Sequence, residues 1–224
     1  MQACRIEAEK LACQRGDRML FAGLSFQLEP GEALQVLGAN GTGKSSLLRI
    51  LAGLLPPVAG QLTCTGSLGL IDERTALDPQ LPLGRALHFW QQLDGPIGDA
   101  AAQMGLGTLL DVPVRYLSTG QKKRAAFARL IGQQAAVWLL DEPLNGLDAR
   151  GAELACELVA QHCRNGGIAV IASHQMFALE GMKTLDLLHF LPSFSGEGPG
   201  VGAVGKHSAS RIAPTPTPPL KRRG

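Results

Sequence analysis

The chain has 224 residues and a mass of 23.6 kDa, with 45% hydrophobic and 18% charged residues and a formal net charge of +2. This is too apolar for disorder over most of the length, and so small a net charge builds no field for a nucleic-acid binder. The numbers fit one globular domain, whose core must be aliphatic because only seven Phe, two Trp and one Tyr are present.

In chain order, residues 1–10 carry Arg5, Glu7, Glu9 and Lys10 and no apolar stretch, so no secretory leader is expected. No apolar run anywhere approaches the ~20 residues that cross a bilayer. Ile6 to Leu28 holds short β-type runs around Gly16-Asp17 and Ala22-Gly23, suiting a small antiparallel sheet. Ala33 to Leu37 (ALQVL) reads as a buried strand, and Ser45 to Leu55 as an amphipathic helix ended by Pro56-Pro57. From about 80 to 132 helical patterns take over, at Leu83 to Leu93, Gly98 to Met104 and Thr119 to Gln133. Val137 to Leu140 (VWLL) and Ile168 to Ala172 (IAVIA) are further buried strands, flanking a helix at Ala149 to Arg164. Apolar strands alternating with helices predict a parallel α/β sheet interrupted by a helical insertion. The five cysteines, at 4, 13, 64, 156 and 163, include no CxxC pair and suit free thiols in a reducing compartment.

Residues 192–224 break the pattern with six prolines, six glycines and no periodicity, which predicts a disordered tail after a domain spanning 1–191. Five basic groups there (Lys206, Arg211, Lys221, Arg222 and Arg223) stand against Glu197 alone. The positive balance therefore belongs to the tail, and the domain itself is mildly acidic.

Gly38-Ala39-Asn40-Gly41-Thr42-Gly43-Lys44-Ser45 matches G-x-x-x-x-G-K-[ST] between a strand and a helix, and Ser46 follows it into that helix. Glycines let backbone N–H groups wrap a phosphate at a helix N-terminus. Lys44 adds a point charge, and the Ser45 hydroxyl suits Mg²⁺. Asp141 ends the VWLL strand, placed to hold Mg²⁺ through water, and Glu142 follows it, placed to polarise an attacking water. Ser118 is a candidate N-cap for a helix starting near Thr119, whose free N–H groups would make a second anion site.

Leu117-Ser118-Thr119-Gly120-Gln121 resembles the signature of ATP-binding-cassette (ABC) ATPases. Leu139 to Asp148 looks like their Walker B strand and D-loop, and His174 like their switch histidine. The resemblance implies a P-loop NTPase core of RecA-like type with a small antiparallel β subdomain and a helical insertion. It further implies ATP and Mg²⁺ as ligands, Glu142 as catalytic base and His174 against the γ-phosphate. A homodimer is expected, in which Ser118, Thr119, Gly120 and Gln121 of one copy close over the ATP of the other. Met19 to Phe26, Leu87 to Trp90, Val137 to Pro143 and Ser173 to Gln175 together look like the cytochrome c biogenesis ATP-binding export family, CcmA.

That family implies a peripheral ATPase on the cytoplasmic face of the bacterial inner membrane, partnered by CcmB-like integral membrane subunits. Its work is heme export, or energising release of a heme-loaded chaperone. No nucleic acid is expected as partner. The competing readings are an ATP-binding subunit of a different ABC importer or exporter, and a soluble ABC ATPase. A single cradle and no heptad run count against the last. The family layout places the groove for a permease helix near Asp72 to Trp90. Two departures stand out. Asp72-Glu73-Arg74-Thr75 occupies the place of the usual Q-loop glutamine, so either Asp72 or Glu73 fills a metal-facing role or coupling there is weaker. No adenine-stacking ring lies between Cys13 and Met19, where Arg15 is the nearest planar group.

Overall fold

The computed structural model describes residues 3–191. The expected tail lies outside these residues. β1 (Arg5–Arg15) and β2 (Arg18–Leu28) form an antiparallel hairpin. Its turn is permitted by Gly16 at φ 57°, a left-handed conformation that costs glycine little. β3 (Ala33–Leu37) then leads through a tight loop into α1 (Lys44–Leu51). β4 (Ala59–Thr65) returns to pair with β1, completing a sheet of order β2-β1-β4. The sequence shows the hairpin but not this third strand, whose side chains are mostly exposed or half-buried.

α1 stops earlier than Pro56 suggests. Gly53 takes φ 71°, its N–H bonds to the Ile50 carbonyl (3.0 Å), and the Leu54 N–H bonds to Arg49 (2.8 Å). This Schellman pattern ends the helix at a glycine rather than at the prolines.

β5 (Leu68–Ile71), β6 (Val137–Asp141), β7 (Ile168–Ala172), β3 and β8 (Lys183–Asp186) form a five-stranded sheet in the order β5-β6-β7-β3-β8. All its pairings are parallel. β8, a polar strand of four residues, has no apolar run to announce it. Between β5 and β6 lie α2 (Leu83–Asp94), α3 (Ala100–Gln103) and α4 (Thr119–Gln133). The helix expected over Gly98 to Met104 forms only across α3. α5 (Ala149–Arg164) connects β6 to β7.

Alternation along the buried strands divides the core in two. Trp138, Leu140, Ala169 and Ile171 face α4, α5 and the insertion. Val137, Leu139, Val170 and Ala172 face α1 and the antiparallel sheet. Interior parallel strands need apolar side chains on both faces, which is why β6 and β7 read as unbroken hydrophobic runs.

Two close approaches lock this arrangement. A Cβ on Gly120, in the first turn of α4, would lie 2.3 Å from the Gly146 carbonyl oxygen. The α4 N-terminus thus rests directly on the backbone after β6. Farther along, the His162 ring stacks on Trp138, with centroids 4.0 Å apart and planes 9° from parallel. The His162 Nε2 lies 3.2 Å from the Ile168 carbonyl.

Two predictions follow from this packing. Burial holds the His162 pKa down to about 4. The unfolded chain therefore binds a proton that the folded chain refuses between about pH 6.5 and 4, and stability falls as pH drops through that window. From pH 7 to 5 this group should cost roughly 2 kcal/mol, read from urea midpoints. His162→Phe should flatten the loss, and an unchanged slope would remove His162 as its source. Gly120→Ala should destabilise the fold by about 1–3 kcal/mol through overpacking against Gly146, measured as a shift in the same midpoint.

Candidate functional site

The C-terminal ends of β3, β6 and β7 meet the N-terminus of α1 around a cavity of about 360 Å³. Open parallel sheets bind ligands beyond these strand ends. Asn40, Gly41, Gly43, Lys44, Ser45 and Ser46 line it from the loop and helix, with Asp141, Glu142, Asn145 and His174 from the strand ends and Leu20 and Glu73 at the rim. Gly38, Ala39 and Thr42 shape the loop from behind. The Thr42 hydroxyl donates to the Ala39 carbonyl at 2.9 Å. Gly38 takes φ 146°, and a Cβ there would lie 2.6 Å from Thr42 Oγ1, so no side chain fits.

Lys44 is 6% exposed and donates to the Gly38 carbonyl at 2.8 Å and the Ala39 carbonyl at 3.3 Å. Its Nζ lies 4.0 Å from Glu142 Oε1. Glu142 is a non-glycine residue at φ 45°, a strained conformation that costs on the order of 1–3 kcal/mol. Its N–H is tied to the Ala172 carbonyl (2.8 Å), and His174 Nδ1 donates to its Oε2 (2.9 Å). The strain and these two ties together aim the carboxylate over the cradle.

Asp141 is 4% exposed, and its Oδ1 has no hydrogen-bond partner. Burial raises its pKa, the Ser45 hydroxyl bonded to it opposes this, and the nearby Glu142 and Glu73 carboxylates raise it further. An orphaned carboxylate oxygen beside a hydroxyl is a hard-oxygen pair that fits a divalent cation. Among the described residues no cluster of three or more His, Cys, Asp or Glu could hold a metal. Remaining ligands would therefore come from phosphate and water.

Two residues of this site escaped the motif reading. Lys123 is buried beneath β6, its Nζ 3.5 Å from the Asp141 carbonyl, and burial lowers its pKa against the pull of Asp141. The only sequence signal was its place in the run Lys122-Lys123-Arg124. Asn145 lines the cavity from the turn after Glu142. Of the two candidates for the missing glutamine, Glu73 lines the cavity and Asp72 does not.

Ser118 caps α4 as expected. The Gln121 N–H donates to Ser118 Oγ (3.2 Å) and the Ser118 N–H to Gln121 Oε1 (2.8 Å), a reciprocal capping box. Ser118 and Thr119 are exposed, and none of Ser118, Thr119, Gly120 and Gln121 lines the cavity of its own chain.

A family profile described as ABC transporter matches residues 21–145. The chain is 55% identical over 192 residues to the cytochrome c biogenesis ATP-binding export protein CcmA of Novosphingobium aromaticivorans, covering 86% of this chain and 100% of that protein. The protein of the same name from Zymomonas mobilis is 48% identical, with 88% and 90% covered. A solved ATP-binding subunit of an ABC transporter, 18% identical, superposes with a TM-score of 0.72 over 81% of this chain and 86% of that one, which shows the shared fold. By these relationships the chain belongs to the ABC transporter ATP-binding family, in its cytochrome c biogenesis (CcmA) branch, and is an ATP-hydrolysing transporter subunit.

Proposed function

We propose that this chain is the ATPase of a heme-export complex serving cytochrome c biogenesis, seated on the cytoplasmic face of the bacterial inner membrane. The names of its relatives support the process. The chemistry rests on one observation, the strained Glu142 carboxylate held by His174 above the cradle. There it accepts a proton from the water that attacks the γ-phosphate, and His174 keeps it oriented. Lys44 leaves its own loop carbonyls to pair with the β- and γ-phosphates. Mg²⁺, held by the Ser45 hydroxyl and through water by Asp141, supplies charge neutralisation on the phosphates when bound. Residues 1–191 form the ATPase domain in this reading.

The position of Ser118 to Gln121 outside their own chain's cavity supports a head-to-tail homodimer. Each capped helix N-terminus then closes over the nucleotide of the other copy. No helix among the described residues is long and apolar enough to cross a membrane. Force passes instead to CcmB-like membrane subunits. The receiving groove is the cavity of about 390 Å³ between β5, the segment Asp72 to Leu77, and α4. Trp90 braces it, its ring 3.4 Å below the Arg129 guanidinium, while Phe89 stays 53% exposed.

Glu142→Gln should keep ATP affinity and slow phosphate release about 100-fold or more; a wild-type rate in the assembled complex would remove Glu142 as base. Lys44→Ala should weaken ATP binding about tenfold or more, because the phosphates lose a charge-assisted donor; titration calorimetry reads this directly. Single cysteines at Arg74 or Phe89 should crosslink to a co-expressed membrane subunit. Their silence across the stretch would displace the groove.

A further inference from the structure

The adenine of a bound nucleotide finds no Phe, Tyr or Trp among the described residues that line the cavity. The one ring in its wall is the His174 imidazole, tied to Glu142, and the one large apolar residue is Leu20. Phe21 is close by but fully buried, its ring packed where a Cβ on Gly43 would stand, 3.1 Å away. The Cys13 thiol bonds to the Ser46 hydroxyl, so the end of β1 forms the shoulder of the cradle. Arg15, two residues beyond Cys13, is exposed outside the cavity lining and carries a flat guanidinium.

The chain's single tyrosine stands elsewhere, and in an unusual state. Tyr116 is 68% exposed although its backbone is firmly placed. Its N–H bonds to the Pro113 carbonyl at 2.9 Å, and the N–H of Arg115 bonds to Pro79 at 3.0 Å. The Arg115 guanidinium lies 4.8 Å from the ring centroid and is itself held by the Gln80 side chain. One face of the ring is braced and the other open. An exposed, pre-positioned aromatic ring exacts little ordering entropy from a ligand that stacks on it.

Its location supplies the ligand. Tyr116 closes a short 3₁₀ turn, Leu117 is extended at φ −70° and ψ 141°, and Ser118 caps α4. Two residues of chain span at most about 7 Å, so the ring stands close to the capped helix end but set back from it. In the head-to-tail dimer proposed above, on which this inference rests, that helix end faces the γ-phosphate in the other copy's cradle. In that dimer a ring set back by no more than this is within reach of the rest of the same nucleotide.

We propose that Tyr116 of one copy stacks on the adenine of the ATP held by the other copy, opposite that copy's Arg15. The base is thereby read across the dimer, between a ring from one chain and a guanidinium from the other. Dimer closure, rather than the first encounter of monomer and nucleotide, then completes the adenine site.

The test uses the full-length Glu142→Gln chain, in which ATP-bound dimer accumulates, with light scattering to follow dimer formation against ATP concentration. Tyr116→Ala should raise the midpoint about tenfold while leaving ATP affinity of the dilute monomer unchanged. Tyr116→Trp should restore the midpoint, since an indole stacks at least as well. A dimer whose midpoint ignores both substitutions would overturn the placement of the ring and leave the dimer standing. A loss of monomer affinity equal to the midpoint shift would also overturn it, because the ring would then act within its own chain. Absence of any dimer in the Glu142→Gln chain would overturn the head-to-tail reading and this inference together.

Discussion

A buried carboxylate at the C-terminal end of an interior strand sets the terms for the whole molecule. Asp141 ends β6 almost wholly out of solvent, with Glu142 and Glu73 adding their own repulsion. Ionised carboxylates are tolerated in such a place only when cations or hydrogen bonds answer them. Lys123 from below, Lys44 across the cavity and the Ser45 hydroxyl make a partial answer. One carboxylate oxygen still lacks a partner. The site is therefore assembled in a state that favours arrival of positive charge, and nucleotide brings its counter-ion with it. The neighbouring elements follow from that need: α4 must pack closely enough to set Lys123 under β6, and α1 must start where Ser45 reaches Asp141.

The signature helix is bound into the same arrangement through backbone rather than side chains. Gly120 and Gly146 leave no room between α4 and the turn after Glu142. A displacement of that turn would push on α4, whose capped end is the second half of the nucleotide site in the proposed dimer. Asp148, which caps α5 by accepting from the Gly151 N–H at 2.9 Å, fixes the far end of the turn. In the proposed function, this short span of closely packed chain would couple hydrolysis at Glu142 to movement of the signature.

What could be read from the sequence was what local chemistry dictates. Gly38 to Ser45 announces itself because only small residues and a lysine fit a phosphate loop. β6 and β7 show as apolar runs because both faces are covered, and Ser118 because a serine before a helix is a cap. Other features depend on partners distant in sequence. Nothing local marks His174 as the residue that bonds Glu142, 32 positions away. Lys123 sits in a run of cations, and only tertiary packing decides which of them turns inward. β8 is short and polar and exists because β3 offers it an edge. At the end of α1 the prolines are the louder signal, but Gly53 acts earlier. Glu73 and Asp72 were equivalent on paper; the course of the chain after β5 brought one to the cavity.

Lys44 carries a consequence beyond its place in the cradle. With its ammonium clasping two carbonyls of its own loop, Lys44 shows the solvent little bare positive charge. A stray monovalent anion must win that ammonium away unaided, and gains one contact for two lost. A polyphosphate engages several backbone N–H groups at once and so covers the exchange. In the proposed ATPase, selectivity for a long, multiply charged chain over the abundant small anions of a cell would arise from what the lysine must give up.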